Sequence, residues 1–214
     1  MYKPLEKARK DPDSIKAKVL SAARKLFGEY GFHGTTTRMI AKEVGIDIST
    51  LYYHWGEKKD LFESVILDVQ ENYRSMLNEL EKNVKGKQLY DRYAVAIDSI
   101  CDFLSNNPEV PNLMLFQNFG KTKLEFDADL REPVTLNEVA IAMGFSIEDK
   151  EFSNKVKAGI LAVWCSIFCF FAGEKHIRPI FEMDHSQYSK MVKDTMKRIL
   201  IPTFDRKKSN RHAS

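Results

Sequence analysis

TTTRMIAKEVGIDISTLYYHWGEKKDL, residues 35–61, decides the fold of this chain. Ile40, Ala41 and Val44 recur at helical spacing and stop at Gly45, where the chain must reverse and positive φ is tolerated. Thr36 and Thr37 can cap this first short helix through a hydroxyl oxygen, and Asp47 can cap a second one. The spacing predicts helices over Thr37–Val44 and Ile48–Trp55, with a tight turn between them. Ile46, Leu51 and Trp55 are expected to point inward. Two short helices joined by a glycine-containing turn of about 3–4 residues form the arrangement that presents a second helix to a DNA major groove.

The expected outer face of that second helix carries Ser49, Thr50, Tyr53 and His54, with no acid after Asp47. Short hydroxyls reach base edges or phosphates, and a tyrosine stacks on sugar or donates to phosphate. Arg38 on the first helix has the reach for guanine O6 and N7 in the same groove. Lys58 follows the Gly56-Glu57 turn at the start of another helix, where ammonium and helix dipole both favour a phosphate.

This segment resembles the N-terminal domain of the TetR family of bacterial transcriptional repressors. Residues 15–31, IKAKVLSAARKLFGEYG, and the following Phe32-His33-Gly34-Thr35-Thr36 resemble that family's opening as well, so the likeness runs over residues 14–66. The resemblance implies DNA contacts at Thr36, Arg38, Thr50, Tyr52, Tyr53, His54 and Lys58, and Thr37, Ile48 and Ser49 are further candidates among them. Thr36, Tyr52, His54 and Lys58 would hold phosphates; Arg38, Ser49, Thr50 and Tyr53 would lie nearest the bases. Ile48 departs from the family, which usually places a polar or small residue there. It either packs on a thymine methyl or is half-buried and reads nothing.

Composition fits a soluble globular protein, with 43% hydrophobic and 29% charged residues. Net charge is only +3, but its distribution is uneven: +4 over residues 1–60, −6 over 61–196 and +5 over 197–214. A basic head beside an acidic body suits a protein that offers one end to a phosphate backbone. The opening MYKPLEKARKDPD lacks the apolar segment of a secretory signal. AGILAVWCSIFCFFAG, residues 158–173, falls short of the ~18 residues expected of a membrane span. Cys101, Cys165 and Cys169 are too few for a disulfide framework. These features place the chain in the cytoplasm, away from membranes.

Hydrophobic periodicity is helical throughout, so the expected fold is all-α. A flexible basic arm is expected over residues 1–13 and the helix-turn-helix DNA-binding domain over 14–60. A helical ligand-binding and dimerisation domain then fills 61–202, and a disordered basic tail 203–214. Within the head, Ile15, Val19, Ala22, Leu26 and Phe27 are the expected core of the first helix. Leu61, Phe62, Val65, Ile66, Val69, Tyr73, Leu77 and Leu80 predict one long helix over Lys58–Val84 that belongs to both parts. Further helices are expected over residues 88–105, from about 111 to 119, and over 134–143, 149–173 and 184–201, the last stopped by Pro202. Residues 120–133 read as loop or short helix.

The second half of the 149–173 helix is apolar almost all round, so it must be covered on every side. A second copy of the chain is the expected cover, with 184–201 contributing, and the resemblance agrees: a two-fold dimer reading a pseudo-palindromic operator. The resemblance also implies an inducer pocket for a small-molecule effector, for which Phe103, Met114, Phe119, Trp164 and Phe168 are the candidates. Such a lining favours an apolar or flat aromatic ligand. Binding would hold the two long helices at the wrong separation for successive grooves and release the operator. A TetR-like activator, or a regulator answering to a protein partner, fits the same residues, as does a purely structural helical module. Cys165 and Cys169, four apart, share a face as metal ligands can, but lie in the apolar run. His176 and His185, among Glu174, Glu182 and Asp184, suit cap or surface roles. No cofactor, metal or catalytic signature stands out, so an enzyme is not expected.

Overall fold

The computed structural model describes residues 3–119, 136–142 and 154–205. Every regular element among the described residues is helical: α1 (Lys3–Lys10), α2 (Ile15–Gly34), α3 (Thr37–Val44), α4 (Ile48–Trp55), α5 (Lys58–Val84), α6 (Leu89–Asn106), α7 (Val110–Phe119), α8 (Leu136–Ala142), α9 (Asn154–Ala172), α10 (Glu174–Ile177), a 3-10 turn (Arg178–Phe181) and α11 (His185–Asp205). The all-α expectation holds. Expectations for residues 120–133 and for most of the basic tail lie outside the described residues.

The described residues of Met1–Asn72 and Glu109–Pro133 form one compact unit, and those of Tyr73–Pro108 and Val134–Ser214 a second. The long helix α5 supplies side chains to both. Its Leu61, Phe62, Val65, Ile66 and Val69 are buried in the first unit, and its Tyr73, Leu77, Leu80 and Val84 in the second.

In the first unit α2 buries Val19, Leu20, Ala22, Ala23, Leu26 and Phe27. Phe27 meets Phe62 edge-on at 4.9 Å, and Phe62 meets Phe116 of α7 at 5.9 Å. Gly28 lets α7 come close. A Cβ there would lie 2.5 Å from the Cβ of Glu109, and the Asn112 side-chain amide donates to the Gly28 carbonyl at 3.0 Å. The regular helix breaks at Gly31, whose φ of 69° glycine adopts without steric cost. Beyond it the Thr35 hydroxyl, fully buried, donates to the carbonyls of Gly31 at 2.8 Å and Leu26 at 3.0 Å.

The structure corrects several expectations. Residues 3–10 are not a flexible arm. Leu5 and Ala8 are buried, α1 packs on α2, and Arg9 is paired with Asp68 and Glu71 of α5. Residues 61–72 and 109–119 belong with the head rather than with a body that begins at 61, because Phe62, Glu109, Asn112 and Phe116 all find their partners there. Ile15, expected in the core, is 41% exposed at the start of α2. Pro202 does not stop α11, which runs to Asp205. A proline lacks its own N–H and crowds the carbonyl four residues back, a disturbance that a helix end bears better than its middle.

In the second unit α11 packs along α6. Ion pairs join Lys193 to Asp102 and Lys197 to Asp98, the latter at 2.6 Å, over a seam of Tyr93, Ile97, Ile100, Leu104, Tyr188, Val192 and Met196. α9 contributes Ile160, Val163, Trp164, Ile167, Phe168 and Phe171 to the same core, and the Tyr188 hydroxyl donates to the Phe170 carbonyl at 2.9 Å.

Candidate nucleic-acid interface

The α3–turn–α4 pair forms as the sequence dictates. Thr36 takes the cap of α3, its hydroxyl accepting from the Met39 amide at 3.2 Å, while Thr37 lies 3.5 Å from the Tyr52 hydroxyl instead of capping. Gly45 ends α3 in the left-handed region with φ 76°, and the Gly45 and Ile46 amides both return to the Ala41 carbonyl. Asp47 occupies the cap position of α4, but only its carbonyl is used, accepting from Thr50 and Leu51; its carboxylate caps nothing. The expectation of an aspartate side-chain cap is therefore corrected.

Leu51 at 0% and Trp55 at 3% exposure anchor α4 from beneath, four residues apart and so on one face. Ile46, expected inward, is half-buried, as is Ile48. The opposite face is open. Ser49 is exposed, Thr50 half-buried, Tyr52 47% exposed and Tyr53 85% exposed. The Tyr53 ring is thus bare on a helix whose other face is fully buried. Arg38 is exposed on α3.

Two basic residues of this head behave differently from their sequence expectation. Lys58 does not simply stand at the amino end of α5. Its Nζ donates to the Phe32 carbonyl at 3.0 Å and the Thr35 carbonyl at 3.1 Å, and sits 4.3 Å from the centroid of the Phe32 ring. It ties the Gly31–Thr35 bend to α5 and spends two of its three N–H groups on those carbonyls. His54 accepts at Nδ1 from Lys16 Nζ at 2.8 Å, and its ring meets Tyr53 edge-on. Burial, with Lys16 beside it, pushes the His54 pKa down, so the neutral imidazole with its proton on Nε2 is favoured. Lys16 is the residue that sequence reasoning missed. Its position two residues after the Ser14 cap gave no sign of a partner on α4.

The five candidate pocket residues are drawn from both units. Phe103, Trp164 and Phe168 lie in the second unit around Tyr73. Tyr73 to Phe103 is 5.7 Å, Tyr73 to Phe168 5.8 Å, and Trp164 stacks on Phe168 at 4.0 Å. Phe168 is fully buried and Phe103 half-exposed. Burial drives the Tyr73 hydroxyl far above its ordinary pKa, with the Trp164 indole working weakly the other way. Met114 and Phe119 belong to α7 in the first unit, and Phe119 is 56% exposed. On α9 the face away from the core shows Leu161 at 40% exposure with exposed Ala162 and Cys169. The polar cluster near the end of α9 forms a hydrogen-bond chain: His185 donates to Glu174 at 2.7 Å and faces the Ser105 hydroxyl at 2.7 Å. It joins the starts of α10 and α11 to the last turn of α6. His176 is exposed. No group of three or more metal-ligating side chains occurs among the described residues.

The sequence profile of bacterial regulatory proteins of the tetR family matches residues 19–65, the stretch from mid-α2 through the first turns of α5. The head is a TetR-family domain. The HTH-type transcriptional regulator UidR of Escherichia coli (strain K12) is 31% identical over 96 residues, which is 45% of this chain and 47% of that protein. An HTH-type transcriptional regulator of Staphylococcus aureus (strain USA300) is 29% identical over 120 residues, 55% of this chain and 61% of that one. The match with such relatives thus spans about half of their length. Among solved structures, the TetR family regulator PfmR of Thermus thermophilus matches with a TM-score of 0.60 at 16% identity, covering 87% of this chain and 96% of that one. FadR of Bacillus subtilis in complex with stearoyl-CoA matches with a TM-score of 0.53 at 18% identity, covering 84% and 96%. At these identities the likeness is one of fold: the TetR-type head is followed by a helical second part. No single described helix is long and apolar enough to cross a membrane.

Proposed function

We propose that this chain is a cytoplasmic TetR-type transcriptional regulator, a repressor that binds a pseudo-palindromic operator as a homodimer and is released by a small, largely apolar or aromatic ligand. The observation that carries the reading is the division of α4 into a fully buried anchor face, Leu51 and Trp55, and an open face of Ser49, Thr50, Tyr52 and Tyr53. Arg38 stands in the same head, and a bidentate arginine–guanine contact needs that freedom of approach. Thr36, Thr37, Lys58 and His54 then serve the phosphates, with Ile48 half-withdrawn from the bases.

Dimerisation is supported by α9, whose outward side keeps Leu161 exposed although its inward side is already satisfied by the core. A second copy covering this side, and exposed Ile199 of α11 with it, accounts for a helix that is apolar on both sides. A ligand site in the second unit is supported by the rings around Tyr73, and the stearoyl chain of the stearoyl-CoA in complex with the FadR neighbour is of the apolar class such rings suit. Release requires only that ligand bind better to the conformation that fits DNA worse. Since α5 is built into both units, it is the covalent route for that coupling.

The deciding experiment incubates purified protein with fragmented DNA from its own genome at near-physiological salt and sequences what is retained. A shared inverted repeat is the expected result. Retention that is salt-sensitive but carries no shared sequence would sink the operator reading.

A further inference from the structure

Lys16 and His54 come from α2 and α4, yet they share a hydrogen bond of 2.8 Å from Nζ to Nδ1. The arrangement is electrically one-sided. Burial and then Lys7 of α1 lower the pKa of Lys16, and Lys16 in turn helps to lower that of His54. Arg9, Arg24 and Lys25 in the same unit are each paired with a carboxylate. Among the described residues, neither Lys7 nor Lys16 has an ion pair with one. A partly buried ammonium that has no carboxylate partner and is repelled by another lysine is stabilised when an anion arrives.

The bond also fixes what the pair offers. With Nδ1 accepting, the imidazole carries its proton on Nε2 and presents it as a donor, and Lys16 retains two further N–H groups. Beside them lies the 85% exposed Tyr53, in edge contact with the His54 ring. We infer that Lys16, aided by Lys7, joins His54 in a phosphate clamp at the edge of the reading head, so that α2 shares with α4 the hold on a DNA backbone phosphate. Lys16 does the work of a direct ligand and also orients the imidazole; Lys7 adds charge from α1. The clamp rests on the DNA-reading proposal above.

A phosphate contact contributes to affinity without regard to sequence, and each one adds about 0.9 to the steepness of log K against log salt. The test measures binding of wild type, Lys16→Met, Lys16→Arg and Lys7→Met to the selected operator and to random duplex between 50 and 250 mM KCl (roughly the range where counterion release is readable), with circular dichroism confirming each fold. Lys16→Met is expected to flatten the slope by about 0.9 for each phosphate given up, and to weaken operator and random duplex by the same factor. Lys16→Arg should keep the wild-type slope. Lys7→Met, an exposed substitution, should flatten it too, and it decides the matter if Lys16→Met fails to fold. An unchanged slope in Lys16→Met and Lys7→Met overturns the clamp, as does a loss confined to operator. Failure of wild-type protein to bind any duplex would instead overturn the DNA-reading proposal.

Discussion

Gly28→Ala sets two calculable effects against each other. Glycine inside a helix costs about 1 kcal/mol relative to alanine, so at an open position the substitution would stabilise α2 by that amount. Gly28 is not open. Its new Cβ would lie 2.5 Å from the Glu109 Cβ, 2.9 Å from the Glu109 Cα and 3.2 Å from the Glu109 carbonyl oxygen. Two of those three atoms are backbone, which no rotamer change can move. Overpacking of this kind costs roughly 1–3 kcal/mol. The shift would also stretch the Asn112 bond to the Gly28 carbonyl and the Arg24–Glu109 ion pair. The steric cost should win, leaving the variant about 1 kcal/mol less stable, or ~2–4 °C lower in Tm for a chain of this size. Urea unfolding followed by circular dichroism measures it, and the penalty should shrink in a Glu109→Gly background, where the nearest atom is gone. A Gly28→Ala protein as stable as wild type, or more so, would refute the close packing of α2 against α7.

Three other outcomes are expected. Arg38→Ala should lose about 1–3 kcal/mol of discrimination between operator and random duplex, as for a bidentate base contact, with its folding unchanged; equal weakening on both would make Arg38 a phosphate contact instead. For His54 the folded pKa lies below the unfolded value, so the neutral form is favoured by folding and the stabilisation is present above the unfolded pKa of about 6.5. It is lost as pH falls from there through the lower folded pKa. The Tm of wild type should therefore drop more steeply than that of His54→Gln between about pH 7 and 5, and parallel curves would contradict the Lys16–His54 contact. Cys101 is fully buried, and burial pushes its thiol up to about 12. A disulfide reagent at pH 8 should modify it only after unfolding in urea, and immediate reaction of all three thiols in native protein would contradict the packing of α6.

Thr36, Gly45 and the Leu51–Trp55 spacing were legible in the sequence because they act within a few residues: a cap reaches two or three positions, and a helix repeats every three or four. The same local rule made α5 readable from its apolar stripe. Partners distant along the chain were not legible. Lys58 was expected to await a phosphate, and tertiary structure gave two of its N–H groups to the carbonyls of Phe32 and Thr35. Likewise Lys16 met His54, and α1 ceased to be an arm once Leu5 and Ala8 had a surface to cover. The sequence by itself determined that the chain is helical and where its reading helix lies, since hydrogen bonding and periodicity are local. Which cations are satisfied within the protein, and which still face outward, was decided only by tertiary structure, because charge pairing depends on the few ångströms between residues that the chain keeps dozens of positions apart.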